Sequence, residues 1–204
     1  MPPLVLGTRN RKKGEELTEL LAPWSFELLT LSDLPKAIEI EETGETFAAN
    51  AALKACEQAK HLQRWVLGED SGLVVDALGG EPGVYSARYS GPKATDESNN
   101  VLLLARLSST PIERRTAHYV CHAVLADPAG TIRAESEGEC RGRIRLAPAG
   151  SGGFGYDPLF EIVEYHRTFG ELGPVVKACL SHRARAIREL IPAMIRLVDS
   201  GEWL

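Results

Sequence analysis

The stretch LVLGTRNRKKGEELTELL, from Leu4 to Leu21, indicates the fold class at the start of the chain. Its apolar opening predicts a short buried strand, and Gly7 begins a polar loop. The segment from about Lys12 to Leu21 carries its leucines on one helical face, which predicts a helix. A strand, a glycine loop and a helix in this order are typical of an α/β protein.

Three later segments are also predicted to be helices. The run TFAANAALKACEQAK begins with Thr46 as a cap and is rich in alanine, which favours helix. The run TDESNNVLLLARL, which begins at Thr95, has acids in its predicted first turn. After Ser181, apolar residues recur at helical spacing, and Pro192 predicts a kink or an interruption in this last helix.

The remaining patterns predict strands. The run WVLGEDSGLVVDAL, which begins at Trp65, predicts two short strands around an acidic turn. Residues Thr116 to Glu139 predict a hairpin whose turn is Asp127 to Gly130. We find no internal repeat and no long linker, so the sequence predicts one α/β domain with a mixed sheet over residues 1–204.

The composition narrows the classes of protein to which the chain can belong. Of its 204 residues, 44% are hydrophobic and 25% are charged, and the net charge is −5. This negative charge argues against a stable nucleic-acid partner. The basic residues near the start follow a very short apolar run, the reverse of a secretory signal, and no apolar stretch could span a bilayer. We therefore expect a cytoplasmic protein without a membrane partner.

Cysteine and histidine spacing does not favour a zinc site. His118 and His122 lie in an alternating strand pattern without a second ligand pair nearby, which favours a structural role. The cysteines lack paired CxxC spacing, so we expect reduced and mostly buried thiols. They are Cys56, Cys121, Cys140 and Cys179.

The segment from Gly7 to Glu16 is the first candidate binding site. Backbone N–H groups and the helix macrodipole favour an anion where a strand and a glycine loop precede a helix. Thr8 and Asn10 add a hydroxyl and an amide, and Lys13 can add a full charge. The segment lacks the P-loop spacing, and a capped surface helix with solvated lysines is the alternative.

Two acidic segments are candidate metal ligands: Glu39 to Glu45, and Glu69 to Gly72. If Glu42 and Asp70 converge, a bound Mg²⁺ would relieve their repulsion, and one carboxylate could accept a proton from an attacking water. A solvated acidic face is the alternative for the glutamate run. Lys54 is either a solvated charge on the surface or part of the same acidic site.

The string SGGFGYDP, from Ser151 to Pro158, places Phe154 and Tyr156 in a glycine-rich loop. We expect both aromatic side chains to be exposed. Glycines let a flat ligand approach the main chain, and exposed aromatics suit base stacking. A tight loop between two strands, without a ligand, is the alternative.

Cationic residues near the last helix form another candidate group. With Ser181 as the cap, His182 and Arg183 occupy the first turn, where a cation is unfavourable unless an electron-rich partner compensates. Lys177 precedes them, and we expect the three donors to converge. Carbonyl or ring-nitrogen acceptors of a base would be suitable partners.

Seven motifs occur in an order that identifies a family and span nearly the whole chain. They are TRNRKK at 8–13, EETGETF at 41–47, NAALKA at 50–55, EDSGL at 69–73, GEPGVYSARY at 80–89, SGGFGYDP at 151–158 and SHR at 181–183. Together they resemble the inosine triphosphate pyrophosphatase family, also called the non-canonical purine or dITP/XTP pyrophosphatases. The chain departs at Ala49, where the family often has Glu, and at Glu69, where a second Asp is common.

The resemblance implies an elongated, two-lobed mixed α/β fold with a nucleotide cleft between the lobes, and a homodimer. It also implies Mg²⁺-dependent hydrolysis of the purine nucleoside triphosphates ITP, dITP and XTP to the monophosphate and pyrophosphate. Donors placed for a 6-oxo group would be left unpaired against the 6-amino group of ATP, which would disfavour that nucleotide.

The resemblance further implies a role for each matching residue. Asp70 would be the metal-associated carboxylate and water-activating base, Glu42 a metal ligand with Glu41 as its neighbour, and Ser71 a substrate contact. The phosphate-binding residues would be Thr8, Asn10, Lys13 and Lys54. The base platform would be Phe154, Gly155, Tyr156 and Asp157, and the readers of the 6-oxo group would be Lys177, His182 and Arg183.

Two other functions are compatible with parts of the sequence. One is a pyrophosphatase of the related Maf type, acting on pyrimidine or modified nucleotides, although the SHR and FGYD motifs argue against it. The other is a nucleotide-binding or nucleic-acid-binding module in which the acids form only a solvated face.

Overall fold

The structure is a computed structural model that describes residues 2–203 and forms two compact units. The first unit contains the described residues up to Asp70, then Cys121–Gly138, and then the described residues from His182 onward. The second unit contains Ser71–Val120 and Glu139–Ser181. Neither unit is a continuous segment, because the chain passes between them repeatedly.

Strands and helices alternate along the first half of the described chain. The strands are β1 (Pro3–Leu6), β2 (Glu27–Thr30), β3 (Val66–Val75), β4 (Thr116–Ala126), β5 (Ile132–Ile144), β6 (Phe160–Ile162) and β7 (Arg167–Thr168). The α-helices are α1 (Arg11–Leu21), α2 (Phe47–Leu62), α3 (Asp96–Arg106), α4 (Phe169–Leu180) and α5 (His182–Asp199). These bounds confirm the predicted helices and the predicted hairpin strands.

The seven strands form one mixed sheet in the order β2-β1-β3-β4-β5-β6-β7. Strand β1 pairs in parallel with β2 and with β3. Strand β6 pairs antiparallel with β5 and with β7. The prediction of an α/β fold with a mixed sheet is therefore confirmed.

The acidic residues after Trp65 do not form a turn. They lie inside β3, which is continuous from Val66 to Val75, so the prediction of two strands around an acidic turn is wrong. Glu69 and Asp70 are both buried on this strand, and each has a cationic partner. Because those ion pairs compensate the charge, the strand does not have to turn toward water.

Helices cover both faces of the sheet in the first unit. Leu4 and Leu6 of β1 lie in one buried cluster with residues of α1 and α5, whereas Val5 lies in a second cluster with alanines of α2. This alternation is the period of two that a strand imposes on its side chains. The carboxyl end of β1 is thereby held between helices on both sides.

The second unit has its own core. Leu73 and Val75 of β3 pack with Leu103 of α3 and with an aromatic group from β4, β6 and α4. The rings of Phe160 and Phe169 stack with centroids 5.6 Å apart. Helix α4 is interrupted at Gly173, whose φ is 76°, immediately before Pro174.

Other expectations concern single residues. Helix α5 continues through Pro192, so the proline does not interrupt it. All four cysteines are free, but only Cys121 and Cys140 are buried, and Cys179 is exposed, so the expectation of mostly buried thiols holds for two of them. Among residues 2–203, no helix is both long and apolar enough to cross a membrane.

Candidate active site

The loop between β1 and α1 is shaped by a glycine and a side-chain cap. The N–H of Gly7 donates to the Leu67 carbonyl at 2.8 Å, and a Cβ at this position would lie 3.1 Å from the same oxygen. Asn10 caps α1, because its Oδ1 accepts from the N–H of Lys13 at 3.2 Å. Thr8 in turn accepts from the N–H of Asn10 at 3.2 Å through its hydroxyl. Both Thr8 and Asn10 line a cavity of about 430 Å³.

The two carboxylates that the sequence suggested as metal ligands meet at one ammonium group. Lys54 Nζ lies 2.9 Å from Glu42 Oε1 and 2.8 Å from Asp70 Oδ1. The Lys54 side chain is only 13% exposed, so the alternative of a plain surface charge is wrong. Asn50 donates to the other oxygen of Asp70 at 3.4 Å and orients that carboxylate.

The electrostatics of this site depend on burial. Burial raises the pKa of the Asp70 carboxyl above its ordinary value, and the charges of Lys54 and Lys13 only partly offset the effect. Burial acts to lower the pKa of Lys54, but the neighbouring carboxylates, with Asp70 first among them, raise it above its ordinary value. The lysine therefore remains an ammonium beside a carboxylate that binds a proton more readily than usual.

Glu41 lies on the exposed surface, unlike Glu42 and Asp70. Among residues 2–203, no group of three or more histidine, cysteine, aspartate or glutamate side chains has an arrangement that could hold a metal ion by itself. Any metal at Glu42 and Asp70 would therefore depend on further oxygen ligands, which substrate phosphates and water can supply.

Glu69, where the family commonly has a second Asp, is the centre of a buried ionic cluster. Its Oε1 lies 2.9 Å from Lys13 Nζ, and its Oε2 lies 3.2 Å from Arg183 Nη2. Arg183 also pairs with Glu16 of α1. Cys121 of β4 donates to Glu69 at 3.4 Å. No local pattern could have identified this cluster, because its members come from four separate elements.

The charges in this cluster stabilise one another. The side chains of Glu69 and Arg183 are each 1% exposed. Burial acts to raise the pKa of Glu69, but the charges of Arg183 and Lys13 outweigh it and hold that pKa well below its ordinary value. Glu69 therefore remains ionised and fixes the positions of one lysine and one arginine.

The start of α5 packs tightly against strand β5. A Cβ at Gly138 would collide with the carbonyl of His182 and the N–H of Ala186. The His182 side chain is buried, and Ser181 ends α4, since its N–H donates to the Lys177 carbonyl at 2.9 Å. His182 and Arg183 belong to the first unit and Lys177 to the second, so their convergence stays a prediction.

The loop 151–158 is organised by Asp157. The Asp157 carboxylate accepts from the N–H of Phe154 at 2.8 Å and from Lys177 Nζ at 2.6 Å. Lys177 Nζ also lies 4.3 Å from the centroid of the Phe154 ring. Asp157 thus holds the loop, the cation and the ring together.

Tyr156 differs from the expectation of two exposed aromatics. It is 3% exposed, and its hydroxyl donates to the Ser86 carbonyl at 2.8 Å. It is part of the core of the second unit, so the expectation of exposure is wrong for Tyr156. Phe154 is partly exposed, and Ser71, which follows Asp70 on β3, is also partly exposed.

The chain is similar to known proteins over nearly its whole length. A protein named dITP/XTP pyrophosphatase from Rhodopirellula baltica is 57% identical over 198 residues, which cover 97% of this chain and 95% of that protein. A protein of the same name from Geobacter sulfurreducens is 49% identical over 187 residues, with 92% and 94% of the two chains covered.

The fold is also similar to solved structures. A HAM1 protein from Coxiella burnetii superposes with a TM-score of 0.87 at 34% identity, covering 96% of this chain and 100% of that one. The Staphylococcus aureus Ham1 protein superposes with a TM-score of 0.83 at 36% identity, covering 95% and 98% of the two chains. A sequence profile of the Ham1 family matches residues 4–193. Because this match includes both acidic segments, the loop 151–158 and the start of α5, the protein belongs to the Ham1 family.

Proposed function

We propose that this protein is a nucleoside triphosphate pyrophosphatase that hydrolyses the non-canonical purine nucleotides ITP, dITP and XTP. The products are the nucleoside monophosphate and pyrophosphate, and the reaction keeps these nucleotides out of DNA and RNA. The observation that carries the proposal is the arrangement of Glu42 and Asp70 around Lys54. Relatives at 57% and 49% identity carry the name dITP/XTP pyrophosphatase, which supports the same activity here.

Mg²⁺ is the proposed cofactor, with Glu42 and Asp70 as its protein ligands and Glu41 as a further candidate. The donor set supports this choice, because carboxylate oxygens are the ligands that hard divalent cations take together with substrate phosphates. When bound, Mg²⁺ would neutralise charge on the triphosphate and polarise its oxygens. Lys54 pairs with both carboxylates, and we propose that it also contacts a phosphate of the nucleotide.

Asp70 is the proposed general base. It accepts the proton of the attacking water while the new P–O bond forms at the α-phosphorus and the bond to the bridging oxygen breaks, which releases pyrophosphate. Asn50 fixes the orientation of the carboxylate.

The β1–α1 loop is the proposed phosphate site. Thr8 and Asn10 supply a hydroxyl and an amide at the start of α1, and the macrodipole of that helix favours an anion. Lys13 supplies the positive charge. Because Glu69 holds the Lys13 ammonium, this charge is in place before a nucleotide binds.

The purine base is proposed to stack on Phe154, with Gly155, Tyr156 and Asp157 completing that loop and Ser71 as a further substrate contact. Lys177, His182 and Arg183 are proposed to read the 6-oxo group. The carboxylates of Asp157 and Glu69 hold two of these cations, which limits the entropy lost on binding. A 6-amino group would leave such donors unpaired, so ATP is a poor substrate.

The test is an end-point assay with Mg²⁺ against ITP, XTP, GTP, ATP, dTTP and UTP that measures pyrophosphate separately from orthophosphate. We expect pyrophosphate from ITP and XTP and little from ATP or GTP. Asp70→Asn should abolish turnover while its melting temperature shows a folded protein. Orthophosphate as the product, a preference for dTTP or UTP, or normal turnover by the variant would each contradict the proposal.

The assembly and cellular location are further proposals. We propose that residues 1–204 act as one pyrophosphatase domain, that the protein is a homodimer, and that it acts in the cytoplasm without a membrane or a stable nucleic-acid partner. Light scattering after size-exclusion chromatography tests the dimer, because a single peak at the 22.2 kDa mass of one chain would contradict it.

A further inference from the structure

Two side chains of α3 hold the same glycine of the loop 151–158. Asp96 Oδ2 accepts from the N–H of Gly155 at 2.9 Å, and Asn100 Nδ2 donates to the Gly155 carbonyl at 3.0 Å. Asp96 and Asn100 are four residues apart, so they lie on one face of the helix. Helix α3 therefore satisfies both backbone groups of the residue that follows Phe154.

The loop needs such support because its own sequence is flexible. Gly152, Gly153 and Gly155 lie on both sides of Phe154, and glycine loses the most backbone entropy when it is ordered. Gly155 has a φ of 63°, in the left-handed region that favours glycine. Asp157 holds the N–H of Phe154 itself. The contacts from α3 hold the main chain at Gly155, the next residue.

Helix α3 is a firm support for these contacts. Its N-terminus has a capping box formed by Thr95 and Ser98. Asn99 is buried and makes hydrogen bonds to Ser90, Ser86 and Ala87. The next turn places Leu103 in the core of the second unit.

The hydrogen bonding of Asn100 is directed at the loop. Its Oδ1 atom is buried and has no hydrogen-bond partner among residues 2–203, whereas its Nδ2 donates to Gly155. A side chain needed only for the helix would not require this amide donor. The contact is thus better explained by the loop that it holds than by α3 itself.

We propose that Asp96 and Asn100 are positioning residues that clamp Gly155 and hold the Phe154 ring in place for the base of the nucleotide. This inference rests on the proposed function and adds two residues to it. The clamp removes conformations of the empty loop that binding would otherwise have to restrict, and so it lowers the KM for the nucleotide. Neither residue needs to touch the substrate.

The test compares two variants at position 96. Asp96→Ala removes the acceptor for Gly155, whereas Asp96→Asn keeps an amide oxygen in nearly the same place. Both lose the negative charge at the start of α3, so any effect of that charge on helix stability is the same in both. Glu97→Gln, which removes the other acid of the first turn, is the matched control.

The measurement is steady-state kinetics with ITP and Mg²⁺, together with the melting temperature of each variant. We expect Asp96→Ala to raise KM about tenfold with kcat changed less than about threefold, because it weakens binding and not chemistry. Asp96→Asn should remain within about threefold of the wild-type KM, and Glu97→Gln should match the wild type. Asn100→Ala should behave like Asp96→Ala.

A double-mutant cycle tests whether Asp96 affects KM through Phe154. In a Phe154→Ala background, Asp96→Ala should change KM less than about twofold, because the ring that the clamp positions is already absent. Equal effects in both backgrounds would overturn the proposal, as would equal losses in Asp96→Ala and Asp96→Asn. If the wild type itself fails to convert ITP, the proposed function is wrong, and the clamp is wrong with it. If the wild type is active but the effects of Asp96→Ala and Phe154→Ala on KM are additive, only the clamp is wrong.

Discussion

Glu69→Gln should destabilise the fold strongly, although it only replaces a carboxylate with a carboxamide of similar shape. The carboxylate is 1% exposed and is the partner of both Lys13 and Arg183. Glutamine removes the charge but leaves two cations in place, one of them fully buried. The desolvation cost of those cations is then no longer offset by Glu69.

The magnitude follows from the contacts that remain. Removing one partner of a buried ion pair costs about 3–5 kcal/mol. Arg183 keeps Glu16 as a partner, so the lower end of this range, about 3 kcal/mol, is expected. For a chain of this size, such a change lowers Tm by about 6–12 °C.

Thermal and urea unfolding of Glu69→Gln measure this effect, and an unchanged urea m-value would show that the unfolded state is the same. Glu15→Gln is the matched control, because Glu15 pairs with Arg11 at 3.5 Å while its side chain is 59% exposed. Surface pairs contribute about 0–1 kcal/mol, so the control should melt within a few degrees of the wild type. A loss of less than about 1 kcal/mol in Glu69→Gln would refute the importance of the buried cluster.

Two further predictions concern packing and base binding. Gly138→Ala should lower the free energy of unfolding, measured with a chemical denaturant, by about 3 kcal/mol, because its Cβ would collide with backbone atoms of His182 and Ala186. As the control, Gly14→Ala in α1 should leave the free energy of unfolding unchanged or raise it slightly. Equal stability of the two variants would contradict this prediction. Phe154→Ala should raise the KM for ITP by roughly tenfold or more, because a stacked base contributes about 1–3 kcal/mol, and Phe154→Trp should keep most of the affinity. An unchanged KM in the alanine variant would show that Phe154 does not bind the base.

Local patterns predicted helices α1, α2, α3 and α5 because helix signals depend on near neighbours in the chain. The leucines of α1, the alanines of α2 and the cap at Thr46 each act within one or two helical turns, and the structure confirms those helices. The acidic stretch in β3 was mispredicted for the same reason. Its charges looked unsuited to a strand, since the cations that compensate them lie far away in the sequence.

The sequence by itself determined the α/β class, four of the five described helices (α4 was not predicted), the order of the motifs and, through them, the family. Only the tertiary structure decided which side chains meet. Glu69 and Arg183 are 114 residues apart, and Gly155 and Asp96 are 59 apart. Tyr156 and Phe154 are two residues apart in one glycine-rich loop, yet only Tyr156 reaches the core. Such contacts depend on the order of strands in the sheet and on the packing of helices against it, which no local period of the sequence records.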